Sequence, residues 1–118
     1  MKIKELLIGA ILFLLAQSLA WYQTNGQFIS EWFKNNPIIV SALMGVPVGM
    51  GYIYGTAYIV EGFGGTLWAA RILGFVTGII TFSTLTYLHL NEGITLKTGV
   101  ILLLATVIVI LQVFWKIK

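Results

Sequence analysis

The sequence predicts an all-α membrane protein, a single domain over residues 1–118 folded as a four-transmembrane-helix bundle with short loops. Composition is the first reason. Apolar residues make up 58% of the chain and charged residues 9%, whereas a water-soluble domain carries about 25% charged residues. Mean hydropathy, at +0.95, agrees. The second reason is length, because four apolar stretches approach the about 20 residues that cross a hydrocarbon core of about 30 Å. The third is economy: four spans and their connections consume nearly all 118 positions and leave no stretch for a soluble domain.

The first span is expected over residues 6–22, closed by Trp21-Tyr22, an aromatic pair suited to headgroup level. Its start, with Lys2 and Lys4 before an apolar run, has the outline of a signal peptide, and Ala16-Gln17-Ser18-Leu19-Ala20 that of a cleavage region. Three further spans follow, so the first is expected to remain as their partner. Residues 23–36 (QTNGQFISEWFKNN) are the longest polar stretch. Phe28, Ile29, Trp32 and Phe33 recur there at helical spacing, which predicts a short amphipathic turn along the interface.

The second span, 37–59, opens on Pro37, where a missing N–H costs nothing in a first turn. Pro47 removes a helical hydrogen bond and is expected to bend the helix near Leu43. Gly45 with Gly49, and Gly51 with Gly55, form small-xxx-small pairs that admit another backbone at close range. They suit tight packing inside the bundle and equally a hinge beside a cavity. The glycine-rich turn EGFGGT (61–66) leads into the third span, 67–88, which carries Thr77, Thr81, Ser83, Thr84 and Thr86. A turn at 89–93 precedes the fourth span, 95–115, whose aliphatic run over 100–111 reads as lipid contact or dimer packing.

An even number of spans puts both termini on one side. Lys2, Lys4, Lys116, Lys118 and Arg71 belong to that side, and Lys34 and Lys97 to the other, a count of five against two. The positive-inside bias therefore predicts cytoplasmic termini in the cell (inner) membrane. The net charge of +3 is scattered, so the expected partner is the lipid bilayer and not nucleic acid. With no cysteine, no disulfide framework is available. An enzyme is not expected, since metal-ligand spacing, a nucleophile with its base and a phosphate-binding glycine motif are all missing. No cofactor is expected either; His89 is the single histidine, which excludes bis-histidine haem ligation within one chain.

Few polar side chains fall within the spans. Gln17 is the most polar residue well inside the first, and an amide there needs an interhelical partner or a ligand. Ser18, Thr81, Thr84, Tyr52, Tyr54 and Tyr58 could converge on it, although hydroxyls on helices also bond back to the preceding turn. Arg71, about one turn into the third span, is expected to reach the headgroups and pair with Glu61 or a lipid phosphate, or to line a vestibule and meet an anionic group. His89 is expected to form a solvated pair with Glu92.

At residues 57–68 the chain reads AYIVEGFGGTLW, in which Ala57, Tyr58, Gly62 and Trp68 fall into place without gaps. This resembles the segment of small multidrug resistance transporters that ends their second helix and enters the third. Residues 88–99, LHLNEGITLKTG, are similar to the turn before the last helix in the larger drug/metabolite transporter superfamily. The resemblance implies a four-helix chain acting as a homodimer, because one such bundle is too thin to enclose a pathway. It also implies a cavity lined by Gln17, Tyr54, Tyr58, Trp68 and Thr81 as substrate-binding residues. The family's exporters carry a glutamate in the middle of the first helix. Here Gln17 is the nearest polar residue, and an amide exchanges no proton near pH 7. The other reading is a small non-catalytic subunit or assembly protein whose glycine faces dock on a larger membrane complex.

Overall fold

The apolar runs fold as helices, and no strand occurs among residues 2–114, which the computed structural model describes. In order they are α1 (Ile3–Asn25), a 3-10 turn (Gly26–Phe28), α2 (Glu31–Asn35), α3 (Pro37–Gly62), α4 (Leu67–Leu90) and α5 (Leu96–Phe114). Three are long and apolar enough to cross a membrane: α1 with its 3-10 extension (Ile3–Phe28), α3 and α4. With 26 residues, α3 reaches about 39 Å at about 1.5 Å per residue. The fourth expected span differs. Helix α5 has 19 residues, and its apolar stretch Leu96–Leu111 is shorter than the other three. Residue 115, Lys116 and Lys118 lie outside the described residues.

Glycine decides how α1 meets α3. The two run antiparallel with backbones nearly touching. A Cβ at Gly51 would sit 2.7 Å from the Ala16 Cβ, and one at Gly55 would sit 2.6 Å from the Phe13 ring. Gly9 meets Ile59 at 2.6 Å and Gly62 meets Leu6 at 2.5 Å in the same sense. Phe13 and Ile59, 2% and 0% exposed, form the centre of the core with Ala70 of α4. The 51/55 glycine pair is thus used inside the chain. The 45/49 pair is looser: a Cβ at Gly45 would lie at ordinary contact distance, 3.7 Å, from Gln23 Nε2 of α1, and one at Gly49 meets nothing within 4 Å.

Pro47 lies inside α3, which continues through it on an exposed face. The turn after α3 needs its glycines, since Gly64 and Gly65 take φ of 82° and 103°, where a Cβ is strained. The N-terminus ties to that end: the Lys2 N–H donates to the Gly62 carbonyl at 2.9 Å. At the other end the expected amphipathic segment is α2, capped by Ser30, whose hydroxyl accepts from the Phe33 N–H at 3.5 Å. Phe28 and Trp32 there are exposed. Helix α5 touches only α4, and the outer surfaces of all the long helices carry exposed Leu, Ile and Val. Such a coat is compatible with lipid and costly in water.

A candidate groove between α1, α3 and α4

Helix α1 packs against both α3 and α4, which meet each other over a smaller contact. The arrangement leaves a groove with α1 as its floor and α3 and α4 as walls. Its outer part encloses about 610 Å³, lined by Phe13 and Gln17 of α1, Tyr52 and Thr56 of α3, and Trp68 and Arg71 of α4 among others. A second part of about 580 Å³ shares Gln17, Tyr52, Arg71 and Gly74 and continues past Phe75, Ile79 and Phe82. The two are halves of one open cleft running along α4.

Gln17 sits at the junction. Its Nε2 donates to the Gly74 carbonyl at 3.0 Å, and the amide lies flat over Gly78, where a Cβ would come within 3.0 Å of that nitrogen. Two glycines one turn apart on α4 make the space. Thr77 caps the same carbonyl from within its own helix, donating to Gly74 O and Leu73 O at 3.0 Å each. The donor half of the Gln17 amide is therefore structural, while its Oε1 accepts no hydrogen bond among the described residues.

The other expected site residues divide. Trp68 lines the groove with Gln17. Tyr54 and Tyr58, 55% and 37% exposed, lie on the outer face of α3 and do not line it. Tyr52 and Thr56 take their place. The cause is helical geometry: the seam against α1 runs through Gly51, Gly55 and Ile59, and at about 100° per residue positions 52 and 56 flank it on one side, 54 and 58 on the other. Helix α4 covers the first flank. Thr81 is buried and lines neither part, sharing the stripe of Gly74 and Gly78 that faces α1. Glu61 does not pair with Arg71. Its Oε1 takes the Lys2 ammonium at 3.3 Å, because the Lys2–Gly62 backbone bond holds that lysine at the end of α3. Arg71 instead faces the groove, exposed, lining both parts.

A second polar cluster joins α1 to the far end of α4. Trp21, 4% exposed, is buried and not spread at an interface, and its indole N–H donates to the Thr86 hydroxyl at 3.0 Å. The ring stacks on His89 with centroids 5.4 Å apart, and the Tyr22 hydroxyl shares a hydrogen bond of 2.8 Å with His89 Nε2. His89 thus pairs with Tyr22 and not with Glu92. The only sequence signal was the one-turn spacing of Thr86 and His89, which places both on one face of α4. No group of three His, Asp or Glu side chains among the described residues could hold a metal ion.

Chemically the groove offers one fixed positive charge (Arg71), the amides of Gln17 and Asn25, the hydroxyls of Tyr52, Thr56 and Thr24, and the Trp68 indole N–H, set among apolar side chains. It can hold an amphipathic molecule by its polar end. It contains no general base. The chain matches no protein-family model, no curated protein and no solved structure.

Proposed function

We propose that the chain is a multi-pass protein of the cell (inner) membrane with four spans, two copies of which act as a small-molecule transporter of the drug/metabolite type. The observation that carries this reading is the open groove, where Gln17, Trp68 and Arg71 from two helices converge on one space. A second copy closes a cleft that α1, α3 and α4 leave open on one side. Helix α5 supplies the fourth span: its 19 residues extend about 28 Å, close to the about 30 Å of a hydrocarbon core. Four spans return both termini to one face, which the five-to-two excess of basic residues makes the cytoplasmic one. The reaction is movement of solute and not chemistry.

The second reading, a non-catalytic subunit of a larger membrane complex, is favoured by one observation: Tyr54 and Tyr58, with Ile53, lie exposed on the outer side of α3. Purification in mild detergent separates the two. A stable homodimer that moves amphipathic solutes across proteoliposomes supports transport; co-purification with one stoichiometric partner and no flux supports the subunit. Because Gln17 holds no exchangeable proton, flux by the unaltered chain should vary little between pH 6 and pH 8, about the range where histidine alone titrates unperturbed. Gln17→Glu should introduce a pH dependence. Its carboxyl donates to the Gly74 carbonyl only when protonated, so the variant is expected to lose stability as pH rises.

A further inference from the structure

Arg71 has no acid beside it. Among the described residues Lys2–Glu61 is the only ion pair, so the nearest candidate in sequence is already engaged. No Asp or Glu lines either part of the groove, and Arg71 is the one ionised side chain that lines both. Around it stand further donors. Trp68 and Arg71 present N–H groups only, and the Tyr52 and Thr56 hydroxyls can donate as well. The side-chain amide acceptor that lines both parts with it, Gln17 Oε1, lies over Gly78.

A guanidinium at the edge of hydrocarbon is stabilised by an anion that satisfies its planar fork, and phosphate or carboxylate oxygens match it in geometry and charge. The groove also has a direction. Arg71 and Trp68 lie within the first two turns of α4, while Phe75, Ile79 and Phe82 line the continuation. From Leu67 to Phe82 the lining covers about 22 Å of helix. One end holds the cation and its neighbouring donors; past it Phe75, Ile79 and Phe82 of α4 form an apolar wall that faces Ala20, Trp21, Thr24 and Asn25 of α1.

We infer that the groove binds an elongated amphiphile with an anionic head, the head on Arg71 and the tail along Phe75, Ile79 and Phe82. This rests on the transporter reading for its site and assigns that site a ligand class, opposite in charge to a cationic drug. A phospholipid drawn from the bilayer and a single-tailed phosphate or carboxylate from the aqueous phase share this chemistry.

The test uses the full-length protein in neutral detergent. Dodecyl phosphate is titrated against it, with dodecyltrimethylammonium and inorganic phosphate as comparators. Dodecyl phosphate is expected to bind saturably and at least about tenfold tighter than either, since both the charged hydrogen bonds and the tail contribute. Arg71→Gln should weaken it by about tenfold or more, and Arg71→Lys, which keeps the charge and loses the fork, by less. Thermal unfolding of both variants shows whether the bundle is intact. If Arg71→Gln does not fold, Arg71→Lys with the cationic comparator carries the decision. Competition by phosphatidylglycerol in nanodiscs assigns the site to a bilayer lipid, and its failure to displace bound dodecyl phosphate assigns it to a soluble amphiphile. Equal or tighter binding of dodecyltrimethylammonium, or an Arg71→Gln variant that binds dodecyl phosphate unchanged, overturns the inference. Transport of a cation through the dimer would do so while leaving the transporter reading intact. Anion binding without flux would remove transport and leave the ligand class standing.

Discussion

Gly51 and Gly49 differ by two positions in one helix and by everything in their surroundings. The first lies against the Ala16 Cβ; the second faces open space. Gly51→Leu must push α1 away and is expected to cost at least about 1–3 kcal/mol, the usual penalty of overpacking. Gly49→Ala should be neutral or gain up to about 1 kcal/mol of helix propensity. Thermal unfolding in detergent reads both, and equal losses would show that α3 does not use the Gly51 seam. Trp21 gives a second residue-level expectation. Thr86→Val strands a buried indole N–H, a cost of about 1–3 kcal/mol, and Thr86→Ser should recover most of it. If Thr86→Val melts with the parent chain, the Trp21–Thr86 bond contributes nothing net.

At the scale of elements, α3 shows how one helix serves several neighbours. Its Gly51, Gly55, Ile59 and Gly62 stripe binds α1, its Tyr52 and Thr56 flank walls the groove, and its Pro47 sits on an exposed face. Pro47 leaves the Leu43 carbonyl without its helical donor, in a position where no neighbouring helix supplies one among the described hydrogen bonds. Pro47→Ala is therefore expected to raise the melting temperature, by an amount worth up to about 3 kcal/mol. A lowered melting temperature would mean that Pro47 is part of how α3 packs. The existence of α1, α3 and α4 was legible from apolar length. Their ends were not: each runs two or three residues beyond its expected close, because hydrogen bonds such as that from the Asn91 N–H to Tyr87 extend the helix into polar sequence.

For the molecule as a whole, the last helix decides the topology. Single cysteines, introduced one at a time into this cysteine-free chain, should be shielded from a water-soluble maleimide over residues 10–18, 42–55 and 73–85, and over 100–111 if α5 spans. Free labelling throughout 100–111 would reduce the bundle to three spans and put the termini on opposite faces. The shape of the bundle, 51 × 35 × 21 Å, is that of a thin slab with α5 attached at one edge. A slab of this thickness leaves its groove open, which is why a second copy is part of the proposed function.

By itself the sequence determined the helical class, the three long apolar helices, a short helical segment at α2 and the importance of Gln17 as a polar group that must be satisfied. Each of these is local: run length, periodicity and the cost of an amide in hydrocarbon can be read without knowing any neighbour. Tertiary structure alone decided which flank of α3 faces the groove, and so exchanged Tyr54 and Tyr58 for Tyr52 and Thr56. It also gave Glu61 to Lys2 and left Arg71 facing the groove. A helix presents every side chain at a fixed angle to its own axis, but only the position of the next helix settles which angle is inside.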